Sequence, residues 1–386
     1  MKTYEKTHPW INFKIDTQRF PYALWIALGG ASSKCEHIAG VPLSPEIAKK
    51  IHHLYLIKGA LATTAIEGNT LSEDEVKNYL DGKLRLPLSR QYLGQEIDNV
   101  VTACNELARE LRNDGSKPFT PEAICKMNAI ILKDLPLNED VVPGEIRRHN
   151  VTAGRYRCAP ADDCKHLLGM FCKHLNDFKL PEENRTVFAL IKAIFAHLFF
   201  VCIHPFGDGN GRTARIIELS ILLSAGLPQP TCHLLSNHYN LTRSNYYRFL
   251  DKAIHGDEHV IAFFQYAITG FVDGLREHID RIRSYQEKVA WINYVHEKFT
   301  DRKSKADIRR RTLALALGEA GGFIAKNKIY ELTATLSSDY RHHSVKLTRD
   351  MNELISMDLI ETNRHQARAK TEVIQAFKVW RNPEPA

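Results

Sequence analysis

The chain has 386 residues, 44% hydrophobic and 25% charged, with 52 Lys and Arg against 45 Asp and Glu. That is enough apolar material for two or three packed units, and no internal repeat or low-complexity tract argues against a globular protein. Eight scattered cysteines give no compact disulfide framework. Residues 1–10 lack the apolar core of a signal peptide, and no stretch reads as roughly 18 uncharged apolar residues, so a cytoplasmic protein with reduced thiols and no membrane span is expected.

Apolar residues recur at three-and-four spacing through most long segments, so the fold is expected to be mainly all-α, with short strand signals only near 147–158 and 359–380. Helices over about 45–67, 72–80 and 92–112 make an N-terminal helical region, 1–115. The first opens at Ser44-Pro-Glu, runs through Thr63-Thr-Ala-Ile-Glu67 and stops at Gly68, so that Thr63 and Glu67 share a face. A carboxylate in the last turn opposes the helix dipole, and Glu67 therefore calls for a cationic partner.

Residues 113–118 break the pattern. A second helical block, 116–275, opens with Thr120 as N-cap and Pro121 at the first helical position. Cys164, His166, Cys172 and His174 are zinc-ligand types. At two-residue spacing, however, each Cys and His point to different sides of a helix, so half-buried thiols are expected rather than a metal site. Residues 187–203 are apolar on nearly every side and predict a buried helix.

After it comes His204-Pro-Phe-Gly-Asp-Gly-Asn-Gly-Arg212. Pro205 discourages further helix, and Gly207, Gly209 and Gly211 let the backbone turn before a new helix opens near Arg212. Peptide N–H groups at a helix N-terminus form an anion site suited to phosphate. Around it stand His204, which titrates near neutral pH, Asp208, able to hold magnesium, and the cations Arg212 and Arg215. That set fits phosphoryl or nucleotidyl transfer, and no Walker loop, kinase signature or dinucleotide fingerprint competes with it.

Residues 276–304 read as a charged connecting helix. The last segment, 305–386, reads as helices over 308–319, 326–332 and 344–357 with strands near 360 and 373–380. This is a winged-helix pattern, with the third helix facing a DNA major groove and 363–370 as the wing. Residues 281–386 hold 20 Lys and Arg against 13 Asp and Glu, the whole of the basic excess. A DNA or protein partner for this segment is therefore expected.

His204, Phe206, Asp208, Gly209, Asn210, Gly211, Arg212 and Arg215 match the signature His-x-Phe-x-(Asp/Glu)-Gly-Asn-Gly-Arg-x-x-Arg at every specified position. On these residues the chain resembles the Fic (filamentation induced by cAMP) family over roughly 45–275. The resemblance implies a helical Fic core with a small β-hairpin flap, and a protein adenylyltransferase that moves AMP from ATP onto a protein hydroxyl. It further implies His204 as general base and Asp208 as magnesium ligand. Gly209, Asn210 and Gly211, with Gly207 beside them, would form the anion hole, Arg212 would hold the outer phosphates and Arg215 would add charge. Gly211 favours AMP transfer over phosphorylation, since phosphorylating relatives carry Lys there.

By the same resemblance, 147–158 is the flap on which an extended target segment docks, with Gly154 as its turn, and Tyr246 and Tyr247 lie near the nucleotide base, with a place in the core as the alternative for both tyrosines. Thr63, Glu67 and Gly68 resemble the inhibitory motif (Ser/Thr)-x-x-x-Glu-(Gly/Asn) of the class II type, in which the glutamate pairs with the first loop arginine, here Arg212. Self-modification and a homodimer are compatible with this reading. The alternatives are an enzyme whose net direction is removal of AMP, and a DNA-binding regulator with a nucleotide-sensing core.

Overall fold

The computed structural model describes residues 2–374. Two compact units divide the chain between Ile279 and Asp280. The first holds α1 (Thr3–Thr7), α2 (Tyr22–Gly40), α3 (Pro45–Ala65), α4 (Glu73–Leu80), α5 (Gln91–Asp114) and α6 (Pro121–Ile131). A hairpin of β1 (Thr152–Ala153) and β2 (Tyr156–Arg157) follows, then α7 (Ala161–Asp177), α8 (Arg185–Ile203), α9 (Asn210–Ser224), α10 (Leu234–Leu241) and α11 (Arg243–Ala253). The helix α12 (Asp257–Lys298) carries the chain across the division. The expected connecting helix is thus the second half of one 42-residue helix.

Local signals set the helix ends. Ser44 and Thr120 cap α3 and α6 with Pro at the first position, and Ser72 with Glu75 forms a reciprocal capping box on α4. These bonds satisfy backbone donors that have no partner inside the helix. The helix expected to reach Glu67 ends at Ala65, and Ile66 to Gly68 form a turn in which the Glu67 and Gly68 amides donate to the carbonyls of Thr64 and Ala65.

At the centre, α8 packs against α2, α7 and α9, while α9 also receives α3, α5 and α6. No boundary between compact units falls near 115: the helices of the N-terminal region close over α9 inside the same unit. Length and composition would let residues Glu182–Ile203 cross a membrane, a correction to the expectation that no stretch comes near it. The helix is mostly buried inside this unit. A helix enclosed by protein on all sides carries the same composition as one enclosed by lipid.

The second unit contains α13 (Lys305–Ala320), β3 (Ile324–Ala325), α14 (Ala334–Tyr340), α15 (Ser344–Ser356), β4 (Ile360–Thr362) and β5 (Gln366–Ala369). The strands form an antiparallel sheet in the order β3-β5-β4, with Ile324 opposite Ala367 and Ile360 opposite Ala369. Leu313, Leu317, Leu336, Leu354 and Leu359 fill its core with Trp291 from α12. Buried Asp350 accepts from Arg309 Nε at 2.6 Å, Arg310 Nε at 2.8 Å and the Tyr340 hydroxyl at 2.9 Å.

Two expectations change here. The stretch 326–332 is mainly a 3-10 turn and the second helix lies at 334–340. The hairpin closes at 363–365 with its return strand at 366–369, because Asn363 Oδ1 accepts from the amides of His365 and Gln366. Residues 371–374 form a 3-10 turn, and the rest of the strand expected at 373–380 lies outside the described residues.

Candidate active site

His204 ends α8 in the left-handed conformation (φ 52°, ψ 61°), its amide donating to the Phe200 carbonyl at 2.9 Å. A non-glycine residue there persists only when its surroundings hold it. Arg147 is what holds it. Its Nε donates to the His204 carbonyl at 2.7 Å, its amide to the Pro205 carbonyl at 3.0 Å, Nη1 to the His149 carbonyl at 2.7 Å, and Nη2 to the Ala159 carbonyl. Ile146 and Phe206 form an antiparallel bridge beside it, and Phe206 is buried against Phe200.

The loop that follows is closed by two asparagines. Asn210 Oδ1 accepts from the Phe206 amide and its Nδ2 donates to the Phe206 carbonyl, each at 2.9 Å. Asn128, from α6, donates to the Asp208 carbonyl at 3.0 Å and to Thr213 Oγ1 at 3.2 Å, and accepts from the Gly144 amide at 3.0 Å. The side chain of Asn210 is therefore committed to the loop itself, and only its backbone remains for the expected anion hole. Gly209 sits at φ 74°, where a Cβ would lie 2.9 Å from Asn128 Nδ2. Gly207 is half-buried against Val141.

His204 Nδ1 lies 3.2 Å from the Val201 carbonyl. A carbonyl only accepts, so this contact puts the proton on Nδ1 and leaves Nε2 as an acceptor. Burial lowers the His204 pKa from its ordinary value, and Arg147 adds to the shift against the opposing effects of the Val201 carbonyl, Glu67 and Asp208. The ring is therefore neutral near pH 7. Asp208 is half exposed, and its Oδ1 accepts from the Gly209 amide at 2.5 Å and from Arg212 Nη2 at 3.2 Å.

Glu67 does not pair with Arg212. Its Oε1 accepts from Arg215 Nη2 at 2.6 Å, and the same nitrogen donates to the Thr63 carbonyl at 2.9 Å. The helical step gives the reason. Gly211 and Arg215 are four residues apart and share the face of α9 that meets the end of α3, while Arg212 is turned about 100° from Gly211 and about 60° from Arg215, toward α5. A Cβ on Gly211 would sit 2.2 Å from Glu67 Oε1, so glycine is what lets the carboxylate approach. Burial by itself would raise the Glu67 carboxyl, but the charge and hydrogen bond of Arg215, with smaller help from Arg212, hold it below the usual range.

Arg212 instead donates through Nη1 to Glu96 Oε1 at 2.9 Å. Glu96 lies on α5, and burial raises its carboxyl above the ordinary value in spite of Arg212. Neither Glu96 nor Arg147 nor Asn128 was expected from the sequence. All three act on the loop from distant positions, and the only local trace is that each falls in a segment with a helical or extended pattern.

Tyr246 is a correction. It is buried, and its hydroxyl lies 2.8 Å from His197 Nε2, so it belongs to the core rather than to a surface that could stack on a base. His197 in turn faces Glu218, which accepts from the Tyr239 hydroxyl at 3.0 Å. Tyr247 is about half exposed and donates to the Ile66 carbonyl at 3.0 Å, next to the Glu67 turn.

The hairpin pairs Thr152 with Arg157 and Ala153 with Tyr156 around Gly154 at φ 62°. The Tyr156 hydroxyl donates to the Cys202 carbonyl at 2.9 Å and receives Trp10 Nε1 at 3.3 Å. The flap is thereby tied to the end of the helix that carries His204. Among the described residues no group of three or more His, Cys, Asp or Glu is arranged to hold a metal ion, and Cys164 and Cys172 are buried in α7.

Residues 118–222 match the Fic/DOC family. The chain carries a Fic domain. Its sequence is 29% identical over 203 residues to the protein adenylyltransferase Fic of Nematostella vectensis, covering 50% of this chain and 42% of that protein. The protein adenylyltransferase fic-1 of Caenorhabditis elegans is 26% identical over 243 residues, 63% of this chain and 44% of that protein. The chain thus spans under half the length of these curated relatives. A Fic family protein from Desulfovibrio desulfuricans G20 shares the fold with a TM-score of 0.52 at 19% identity, covering 89% of this chain and 96% of that one. The Fic domain supplies the loop from His204 to Arg215, while Glu67, in the turn after α3, and Glu96, on α5, precede it.

Proposed function

We propose that the chain is a protein adenylyltransferase that moves AMP from ATP to a hydroxyl side chain of a target protein, and that Glu67 restrains it. One observation carries the reading: a neutral His204 with a free Nε2 stands at the mouth of a helix N-terminus flanked by two arginines. His204 Nε2 takes the proton of the attacking hydroxyl, whose oxygen adds to the α-phosphorus as pyrophosphate leaves on the opposite side. The amides at the start of α9 and the Arg212 guanidinium take up the negative charge of the phosphates.

Asp208 fits a magnesium ion, since it offers a half-exposed carboxylate within the phosphate nest, and this cation commonly takes one or two carboxylates plus substrate phosphates. Bound there, it would neutralise phosphate charge. The backbone of the flap 147–158 offers an edge for an extended target segment. Glu67 holds Arg215 and lies over Gly211, so its negative charge occupies space beside the phosphate nest. Incubation of the protein and candidate targets with magnesium and ATP labelled at the α-phosphate should give labelled protein, and γ-labelled ATP should not. Transfer from the γ-position would replace this reading with a kinase.

A second reading concerns the other unit, for which we propose a winged helix that binds duplex DNA. Three helices with an antiparallel sheet of order β3-β5-β4 support it, as does the exposed face of α15 that carries Val345, Thr348, Arg349 and Asn352. Fluorescence anisotropy of the full chain with duplex DNA should show weak binding at low salt. Affinity should fall steeply as salt is added, because cationic contacts release counterions, and Arg349→Ala should weaken it further. No binding of any duplex at low salt would reject this reading.

A further inference from the structure

Arg212 is held by two carboxylates of different character. On one side Asp208 lies 3.2 Å from Nη2, and its side chain is 48% exposed. On the other Glu96 lies 2.9 Å from Nη1, and its side chain is 15% exposed. Glu96 cannot swing away, because its second oxygen accepts from Asn69 Nδ2 at 2.8 Å. Asn69 is itself buried: the same nitrogen donates to the Leu93 carbonyl at 2.9 Å, and its Oδ1 accepts from the Leu71 amide at 3.0 Å. The Asp208 contact is thus the one that an incoming phosphate can displace, and the Glu96 contact is the one that stays.

We propose that Glu96 is the positioning residue of the phosphate clamp, fixing the Arg212 guanidinium from behind so that its other edge faces the outer phosphates of ATP. An arginine bonded through one nitrogen to a fixed carboxylate keeps the remaining donors of its planar fork in one orientation. The ordering of a long side chain is then complete before the nucleotide arrives. Asn69, two residues past Glu67, sets the Glu96 carboxylate, so the segment that carries the brake also supports the clamp. The inference rests on the adenylyltransferase reading, in which Arg212 meets the outer phosphates and not the nucleoside.

The test is nucleotide binding by calorimetry in a Glu67→Gly background, where Arg215 is released, with ATP and AMP as the two probes. Glu96→Gln keeps shape and removes charge. It should weaken ATP binding on the order of tenfold, leave AMP binding unchanged, and shift the melting temperature of the nucleotide-free protein little. Glu96→Asp, which retains the charge but draws it back, should fall between. In an Arg212→Ala background the Glu96→Gln change should have no further effect on ATP.

Equal ATP affinity across these variants would overturn the inference. Tighter ATP binding by Glu96→Gln would overturn it in favour of a second restraint on Arg212. Parallel loss of ATP and AMP binding, in either Glu96 variant, would mean a structural role only. Absence of nucleotide binding by Glu67→Gly itself would sink the adenylyltransferase reading, and this inference with it.

Discussion

Replacing His204 by alanine or asparagine is expected to reduce AMP transfer by roughly 10²- to 10⁴-fold, the usual contribution of a positioned general base. ATP affinity should stay near that of the parent, because the proposed reaction gives Nε2 the hydroxyl proton and leaves the phosphates to backbone amides and arginines. Two variants are needed because residue 204 sits at φ 52°. Alanine there costs about 1–2 kcal/mol in backbone strain, whereas asparagine adopts this conformation more readily. Both should lose activity, and His204→Asn should retain the parent melting temperature. Transfer at the parent rate by a folded His204→Asn protein would exclude His204 as base.

The pH profile gives a second check. Burial lowers the His204 pKa, so the protonated, inactive ring forms only at a pH below its ordinary value of 6.5. Activity of the parent should hold from neutral pH down through 6.5 and fall below it. A fall that begins above that ordinary value would contradict the half-buried, neutral ring.

Glu67→Gly should raise AMP transfer roughly tenfold to a hundredfold. A hydrogen bond to a charged group contributes about 1.5–3 kcal/mol, and in the proposed restraint the Glu67 contact keeps that much of Arg215 from the phosphates. The carboxylate also lies where a Cβ on Gly211 would be, beside the first amides of α9, so its removal clears the anion site of a negative charge. The partner named by the geometry makes the prediction specific. Glu67→Gly combined with Arg215→Ala should lose most of the gain, since the arginine released by the first change is absent in the second and only the cleared charge remains. Autoadenylylation with α-labelled ATP across parent, single and double variants measures it. Equal labelling of parent and Glu67→Gly would reject the restraint, and high labelling of the double variant would reject Arg215 as the group it acts on.

The site was legible in the sequence wherever its chemistry is contiguous. His204 to Arg215 is a single loop and one helical turn, so the histidine, the carboxylate, the glycines and the arginines are gathered at one helix N-terminus by their order alone. The need of Glu67 for a cation was legible too, because an acid at a helix end is disfavoured by the dipole alone. The Fic domain between 118 and 222 could be recognised for the same reason.

What tertiary structure decided is which of several equivalent residues meets which partner. Arg212 and Arg215 are interchangeable as charges in the sequence. Only the docking of α3 and α5 on α9 sends one to Glu96 and the other to Glu67. Arg147 and Arg148 are neighbours of one type, yet Arg147 is buried beneath the His204 turn and Arg148 is exposed, because successive residues of an extended segment face opposite sides. Tyr246 and Tyr247, turned about 100° from each other on α11, also divide, one into the core and one beside the Glu67 turn. Spacing along the chain fixes which groups share a face, but the direction of that face is set only when other helices pack against it.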